Sequence, residues 1–103
     1  SVLKEKAGEY FDIECSPYML YNSKVKQSGL DPITHVDGTC RHQTVTYESN
    51  PAYYKLISTF EKRTGCPILL NTSLNIGGKP IAGTPEDANV SGLDSLYIGN
   101  QVL

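Results

Sequence analysis

The chain has 103 residues, 39% apolar and 19% charged, which suits one folding unit with a small core and leaves no room for two cores of ordinary size. Eleven acidic against nine basic residues leave a formal charge of −2, which argues against broad binding to nucleic acid or to anionic membranes. No run approaches the roughly 20 apolar residues of a membrane helix, and nine glycines, six prolines and seven tyrosines point to a turn-rich mixed fold and exclude a long coiled coil.

Ser1-Val2-Leu3-Lys4-Glu5-Lys6 has neither an initiator methionine nor a signal-peptide pattern, and it reads as the interior of a longer polypeptide. Val2, Leu3, Ala7, Tyr10 and Phe11 fall at helical spacing and predict a short amphipathic helix over 2–11. Ser16-Pro17 breaks it, and the apolar run Tyr18-Met19-Leu20-Tyr21 predicts a strand buried on both faces. Lys24 to Pro32 reads as a connection. Ile33 to Asp37 and Gln43 to Tyr47 then read as two strands around Gly38-Thr39, from β-branched residues recurring at period two.

The clearest helix starts at Asn50-Pro51, with an amide to cap a free N–H and a proline where no donor is needed. Tyr53, Leu56, Ile57 and Phe60 form its core-facing stripe. Lys62 and Arg63 suit its negative end, and Gly65 suits a left-handed C-cap. Cys66 to Leu70 predicts a buried strand. After it, Asn71-Thr72-Ser73-Leu74-Asn75-Ile76-Gly77-Gly78 is a run of small polar donors and acceptors ending in two flexible glycines, the composition of a loop that contacts a ligand. Pro80 to Gly83 reads as a brief extended piece. Thr84-Pro85-Glu86-Asp87 reads as a capped helix start, and Leu93 to Ile98 as a last strand closed by Gly99-Asn100.

Cys15, Cys40 and Cys66 are an odd set without Cys-x-x-Cys, read as reduced thiols of a cytoplasmic protein. Asn71-Thr72-Ser73 and Asn89-Val90-Ser91 match the N-glycosylation tripeptide, but without a secretory signal they read as coincidence.

Two runs concentrate polar groups. In the first, Thr34 to Thr44, Arg41 lies between predicted strands, where its planar fork suits a phosphate, and Gly38 permits close backbone approach. The other reading of this run is a β-turn, with Asp37 and Thr39 bonded locally and Arg41 spent on a surface acid. His35 and His42 lack zinc-motif spacing, so no metal is expected, and Asp37 with His35 has no serine nucleophile in a recognisable order. Cys40 is either a thiolate lowered by Arg41 or a buried strand cysteine. In the second run Ser73 and Asn75, two apart, point the same way on an extended segment and can address one ligand, unless the loop only bonds to itself. Gly77-Gly78-Lys79-Pro80 is no phosphate-binding Walker loop, because the serine or threonine after the lysine is missing.

Five segments occur in order: Ser16-Pro17-Tyr18-Met19-Leu20, His35-Val36-Asp37-Gly38-Thr39-x-Arg41-x-Gln43-Thr44-Val45, Asn50-Pro51-x-Tyr53-Tyr54-x-Leu56-Ile57, Asn71-Thr72-Ser73-x-Asn75 and Thr84-Pro85-Glu86-Asp87-Ala88. Together they resemble the C-terminal region of the O-carbamoyltransferases that modify antibiotics and nodulation factors, over nearly the whole chain.

The resemblance implies a partial YrdC-like α/β domain, a twisted, mostly mixed β-sheet with flanking helices. It also implies a reaction in which carbamoyl phosphate and ATP, with Mg expected, yield carbamoyl adenylate. An N-terminal Kae1-like domain of the same parent chain, holding an iron-type metal, then passes the carbamoyl group to an acceptor hydroxyl. By position Arg41 corresponds to a phosphate-holding arginine, and Ser73 with Asn75 to a nucleotide-holding Ser-x-Asn element. His35, Asp37, Thr39, Asn71 and Thr72 form a second tier around them. All three principal residues are then expected on one concave, solvent-open surface.

The chain departs from the family pattern in several places. Nothing in residues 1–103 matches the family's upstream Gly-Arg-x-Glu-x-Gly-Pro-Arg-Ala-Leu-Gly type segment, so part of the implied site lies elsewhere and turnover by this fragment alone is not expected. Leu74 stands for the usual phenylalanine, and the chain is shorter than family members around Gln27–Asp31 and Ala88–Leu93. The alternative function is a non-catalytic nucleotide- or phosphate-binding or interaction module of the same fold.

Overall fold

The computed structural model describes residues 1–75, 77–88, 92–99 and 101–102. It is mixed α/β, built from short helices, one longer helix and two-stranded ladders, and it divides into two compact units, Ser1–Asn71 and Thr72–Leu103.

The first unit is organised by β1 (Val2–Leu3), which pairs in parallel with β4 (Thr44–Val45), Val2 opposite Thr44 and Leu3 opposite Val45. Ile68 bridges to Val2 antiparallel from the other edge, where Leu69 N donates to Ser1 O at 2.9 Å and Ser1 N to Leu69 O at 2.7 Å. Successive strand side chains point to opposite faces. Val2 accordingly joins Ala7, Phe11, Cys40 and Ile68 in one buried cluster, while Leu3 joins Val45 and Ile57 in another.

This pairing corrects the helix expected over 2–11. Strand occupies Val2–Leu3, a 3-10 turn Lys4–Lys6, and α1 only Ala7–Tyr10, ended by the extended backbone of Phe11. Of that pattern Val2, Leu3, Ala7 and Phe11 are buried and Tyr10 partly so, but long-range ladder bonds at Val2 and Leu3 outweigh the local periodicity.

Tyr18–Tyr21 is not a buried strand either. Tyr18 is 78% exposed, and Met19 sits at φ +57, a left-handed conformation that breaks extended structure. The expected strand Ile33–Asp37 is replaced by a 3-10 turn at Asp31–Ile33 and a tight turn through Gly38 at φ +81. Strand resumes at β3 (Thr39–Cys40), whose antiparallel partner is β2 (Ser23–Lys24), inside what reads as a connection.

Helix α2 (Pro51–Thr64) follows its local signals: Asn50 Oδ1 accepts from Tyr53 N at 3.2 Å, and Gly65 at φ +79 donates its N–H to Glu61 O at 2.7 Å. Its stripe is only half covered. Ile57 is fully buried and Tyr53 partly, whereas Leu56 is 57% and Phe60 37% exposed, because the ladder under the helix is only two residues long.

The second unit begins with the loop from Thr72, tied by Ala82 N donating to Leu74 O at 2.9 Å; Pro80–Gly83 is not strand. Helix α3 (Pro85–Ala88) is capped as its sequence predicts. Thr84 Oγ1 accepts from Asp87 N at 3.2 Å, and Asp87 Oδ2 accepts a longer bond from Gly83 N. The last expected strand is present over β5 (Tyr97–Ile98), which turns through Gly99 at φ +59 into β6 (Gln101–Val102). The Asn89-Val90-Ser91 tripeptide, and with it most of the short joint between Ala88 and Leu93, lies outside the described residues.

Candidate functional site

The first polar run splits into a turn and a presented cation. Asp37 Oδ1 accepts from Thr39 N at 3.0 Å and from Thr39 Oγ1 at 2.6 Å, and His35 N donates to Thr39 O at 2.7 Å. The Thr39 hydroxyl above all holds the Asp37 carboxyl below the usual carboxylate range. Asp37 and Thr39 thus satisfy one another, as the turn reading anticipates. Arg41 does not follow that reading: its exposed side chain makes no ion pair or hydrogen bond with any described residue.

Arg41 lines a concavity of about 270 Å³ together with Thr34, His35, His42 and Asn71, with Phe11 and Ile68 contributing apolar surface. No carboxylate is among the described residues that line it. A fixed positive charge beside hydroxyl, imidazole and amide groups, with no opposing anion, suits an anionic ligand carrying a polar head and some apolar area. Asn71 is exposed and its amide reaches Met19 Sδ at 3.7 Å.

Behind Arg41 lies a buried polar network that sequence reasoning missed. Ser23 Oγ donates to Cys40 O at 3.2 Å and lies 2.7 Å from His42 Nδ1. Ser16 Oγ donates to His42 O at 3.1 Å, Ser16 N to Thr44 Oγ1 at 3.0 Å, and Thr44 N to Ser16 O at 2.9 Å. Ser16, Ser23, His42 and Thr44 are all buried. Burial pushes the His42 imidazole below its ordinary pKa, against the opposing pull of the Ile13 carbonyl and the Asp12 carboxylate. Of the two readings of Cys40, the structure has the buried strand cysteine, its thiol pushed up by burial rather than down toward a reactive thiolate.

In the second unit, Ser73 and Asn75 are brought together. Ser73 Oγ donates to Asn75 Oδ1 at 3.0 Å, and Asn75 Nδ2 donates to Lys79 O at 3.1 Å, so the loop orients its own amide. Ser73 is exposed, as is Thr72. Among the described residues no three His, Cys, Asp or Glu side chains converge as metal ligands, and no helix is long and apolar enough to cross a membrane.

Comparison with known proteins places this sequence in a family. The profile described as Carbamoyltransferase C-terminus matches residues 1–103. The chain is 42% identical to nodulation protein NolNO of Sinorhizobium fredii, over all of the chain and 17% of that protein. It is also 42% identical to nodulation protein NolO of Bradyrhizobium diazoefficiens, over 96% of the chain and 20% of that protein. A 3'-hydroxymethylcephem-O-carbamoyltransferase of Amycolatopsis lactamdurans is 38% identical, over 93% of the chain and 20% of the enzyme. The chain thus spans about a fifth of the length of the curated relatives it matches. The alignment to NolNO runs over 114 positions against a chain of 103, so that relative carries residues this chain lacks. The chain belongs to the family of carbamoyltransferase C-terminal regions.

Proposed function

We propose that this chain is the part of a carbamoyltransferase that holds the activated substrates, with Arg41 taking a phosphate of carbamoyl phosphate and Ser73 with Asn75 taking ATP. Atom balance sets the reaction. Carbamoyl phosphate and water give carbamate and inorganic phosphate; a carbamate oxygen then attacks the α-phosphorus of ATP, forming carbamoyl adenylate as the bond to pyrophosphate breaks. Transfer of the carbamoyl group to an acceptor hydroxyl belongs to the N-terminal, metal-holding domain of the longer protein, with Mg accompanying ATP. The fold proposed for the complete domain is YrdC-like, and the mixed arrangement of β4, β1 and Ile68 supports it as a fragment of a larger mixed sheet.

The observation that carries the reading is the unpaired Arg41 guanidinium at a cavity lined by no described carboxylate. Charge neutralisation dominates phosphoryl and adenylyl chemistry, so an arginine left without a protein anion is worth most where a phosphate arrives. The test is carbamoyl-phosphate-dependent ATP–pyrophosphate exchange by the full-length protein. Arg41→Ala should slow it by about 2–4 kcal/mol in the transition state, roughly 30- to 1,000-fold. An unchanged rate would leave a non-catalytic binding module as the better reading.

A further inference from the structure

The geometry points to Ser16 and Ser23 as positioning residues for Arg41, their buried hydroxyls clamping the backbone on both sides of it so that the guanidinium meets an anionic ligand from a fixed base. This deepens the reading of Arg41 as the phosphate contact and rests on it.

Residues 40–44 are fastened around Arg41. Ser23 Oγ holds the Cys40 carbonyl, and Ser16 Oγ holds the His42 carbonyl. The His42 ring is pinned between Ser23 Oγ and the face of Phe11. Gln43 accepts from Val2 N at 2.9 Å through its carbonyl, and its side-chain amide donates to Pro17 O at 3.1 Å. Arg41 alone in this stretch has its side chain in solvent without a described partner.

An exposed arginine has many rotatable bonds and loses rotamer entropy when it grips a ligand. If its backbone also wandered, that loss would grow and the bidentate geometry would blur, so a rigid base lowers the cost of binding. Ser16 and Ser23 suit the role for a chemical reason. A buried serine hydroxyl has one proton to give, and here each gives it to a carbonyl flanking the arginine, while Ser23 Oγ still offers a lone pair to the Nδ1–H of a neutral His42.

The test is a double-mutant cycle in the full-length protein: Arg41→Ala, Ser23→Ala, both together, and Ser23→Thr as the conservative variant. KM for carbamoyl phosphate and kcat are read from ATP–pyrophosphate exchange, and the thermal midpoint of each variant reports folding. Ser23→Ala is expected to raise KM about tenfold, the effect of one lost hydrogen bond, with kcat within about twofold of the parent and Ser23→Thr restoring KM. In the Arg41→Ala background, Ser23→Ala adds nothing, because the group it positions is gone. Effects that multiply in the double variant overturn the positioning role and leave the Arg41 reading standing. An Arg41→Ala variant with both KM and kcat unchanged overturns both. Should Ser23→Ala fail to fold, Ser16→Ala replaces it in the same cycle and the same outcomes decide.

Discussion

His42 lies face to face on Phe11, ring centroids 4.2 Å apart and planes 4° from parallel. Both rings are buried, and His42 Nε2 has no described hydrogen-bond partner within reach. A neutral imidazole tolerates that position. A protonated one would bury a charge whose desolvation outweighs the pull of the Ile13 carbonyl and the Asp12 carboxylate.

Stability should therefore depend on pH through His42. Burial lowers its folded pKa below the unfolded value of about 6.5, so the folded state binds fewer protons in the window between the two. The contribution of the neutral ring is complete above about pH 6.5 and is lost as pH falls through the folded pKa, at about 1.4 kcal/mol for each unit of depression. Thermal unfolding at a series of pH values from 7.5 to 5 should show this decline. His42→Phe keeps a ring on Phe11 but cannot charge, so its decline should be smaller. An equal decline in the two proteins would remove His42 as the cause.

The two ends of α2 should each be worth about 1 kcal/mol. Asn50→Ala removes the acceptor for Tyr53 N. Gly65→Ala meets no neighbouring atom within 4 Å, so its cost is the positive φ of +79 alone. Urea midpoints that fail to move for either variant would mean that the helix ends are already frayed.

The half-covered stripe of α2 gives a contrast within one helix. Ile57→Ala should cost about 2–5 kcal/mol, because Ile57 is fully enclosed with Leu3 and Val45. Leu56→Ala, one residue away and mostly exposed, should change stability by only about 0.5 kcal/mol. Comparable losses at both positions would show that Leu56 is covered in solution.

Which parts of this architecture are legible in the sequence follows from how far apart the determining residues stand. Asn50, Pro51 and Gly65 act within a turn of their own positions, and α2 begins and ends where they predict. Val2–Leu3 is strand only because Thr44–Val45 lies beside it, a partner that no local window contains. Tyr18 and Leu20 mislead for another reason: apolar composition suggests burial, while Met19 at positive φ turns the chain outward.

The candidate site divides in the same way. Arg41 stands out by residue type, and so do Ser73 and Asn75 by their spacing. Ser23 does not, since it sits in the polar run Asn22-Ser23-Lys24 and its partners Cys40 and His42 are 17 and 19 residues away. A buried serine leaves no periodicity behind, and only the folded backbone shows what its hydroxyl holds.

Arg41→Lys should separate charge from shape. Lysine keeps the positive charge but offers a point donor in place of a planar fork. Under the phosphate reading, Arg41→Lys in the full-length protein should recover part of the exchange rate lost in Arg41→Ala and remain about tenfold below the parent. Full recovery would mean that charge alone suffices and that the bidentate contact is absent.

The Ser73–Asn75 pair should separate the two substrates. Asn75 is oriented by Ser73 Oγ on its carbonyl oxygen and by the Lys79 carbonyl on its amide nitrogen, so its conformation is set before any ligand arrives. If this loop holds ATP while Arg41 holds carbamoyl phosphate, Asn75→Ala should raise KM for ATP and leave KM for carbamoyl phosphate near its parent value. Loss of a hydrogen bond to a charged group is worth about 1.5–3 kcal/mol, roughly 10- to 150-fold. Asn75→Asp should be worse than Asn75→Ala, although it is nearly isosteric, because it sets a carboxylate against the polyphosphate and exchanges an amide donor for an acceptor. A merely structural role predicts instead that both variants shift the two KM values together and lower the thermal midpoint, because aspartate as well as alanine loses the donor to the Lys79 carbonyl. Steady-state exchange kinetics with each substrate varied in turn decide between them, and an Asn75→Ala variant that raises both KM values alike, or leaves KM for ATP unchanged, would remove the loop from the nucleotide site.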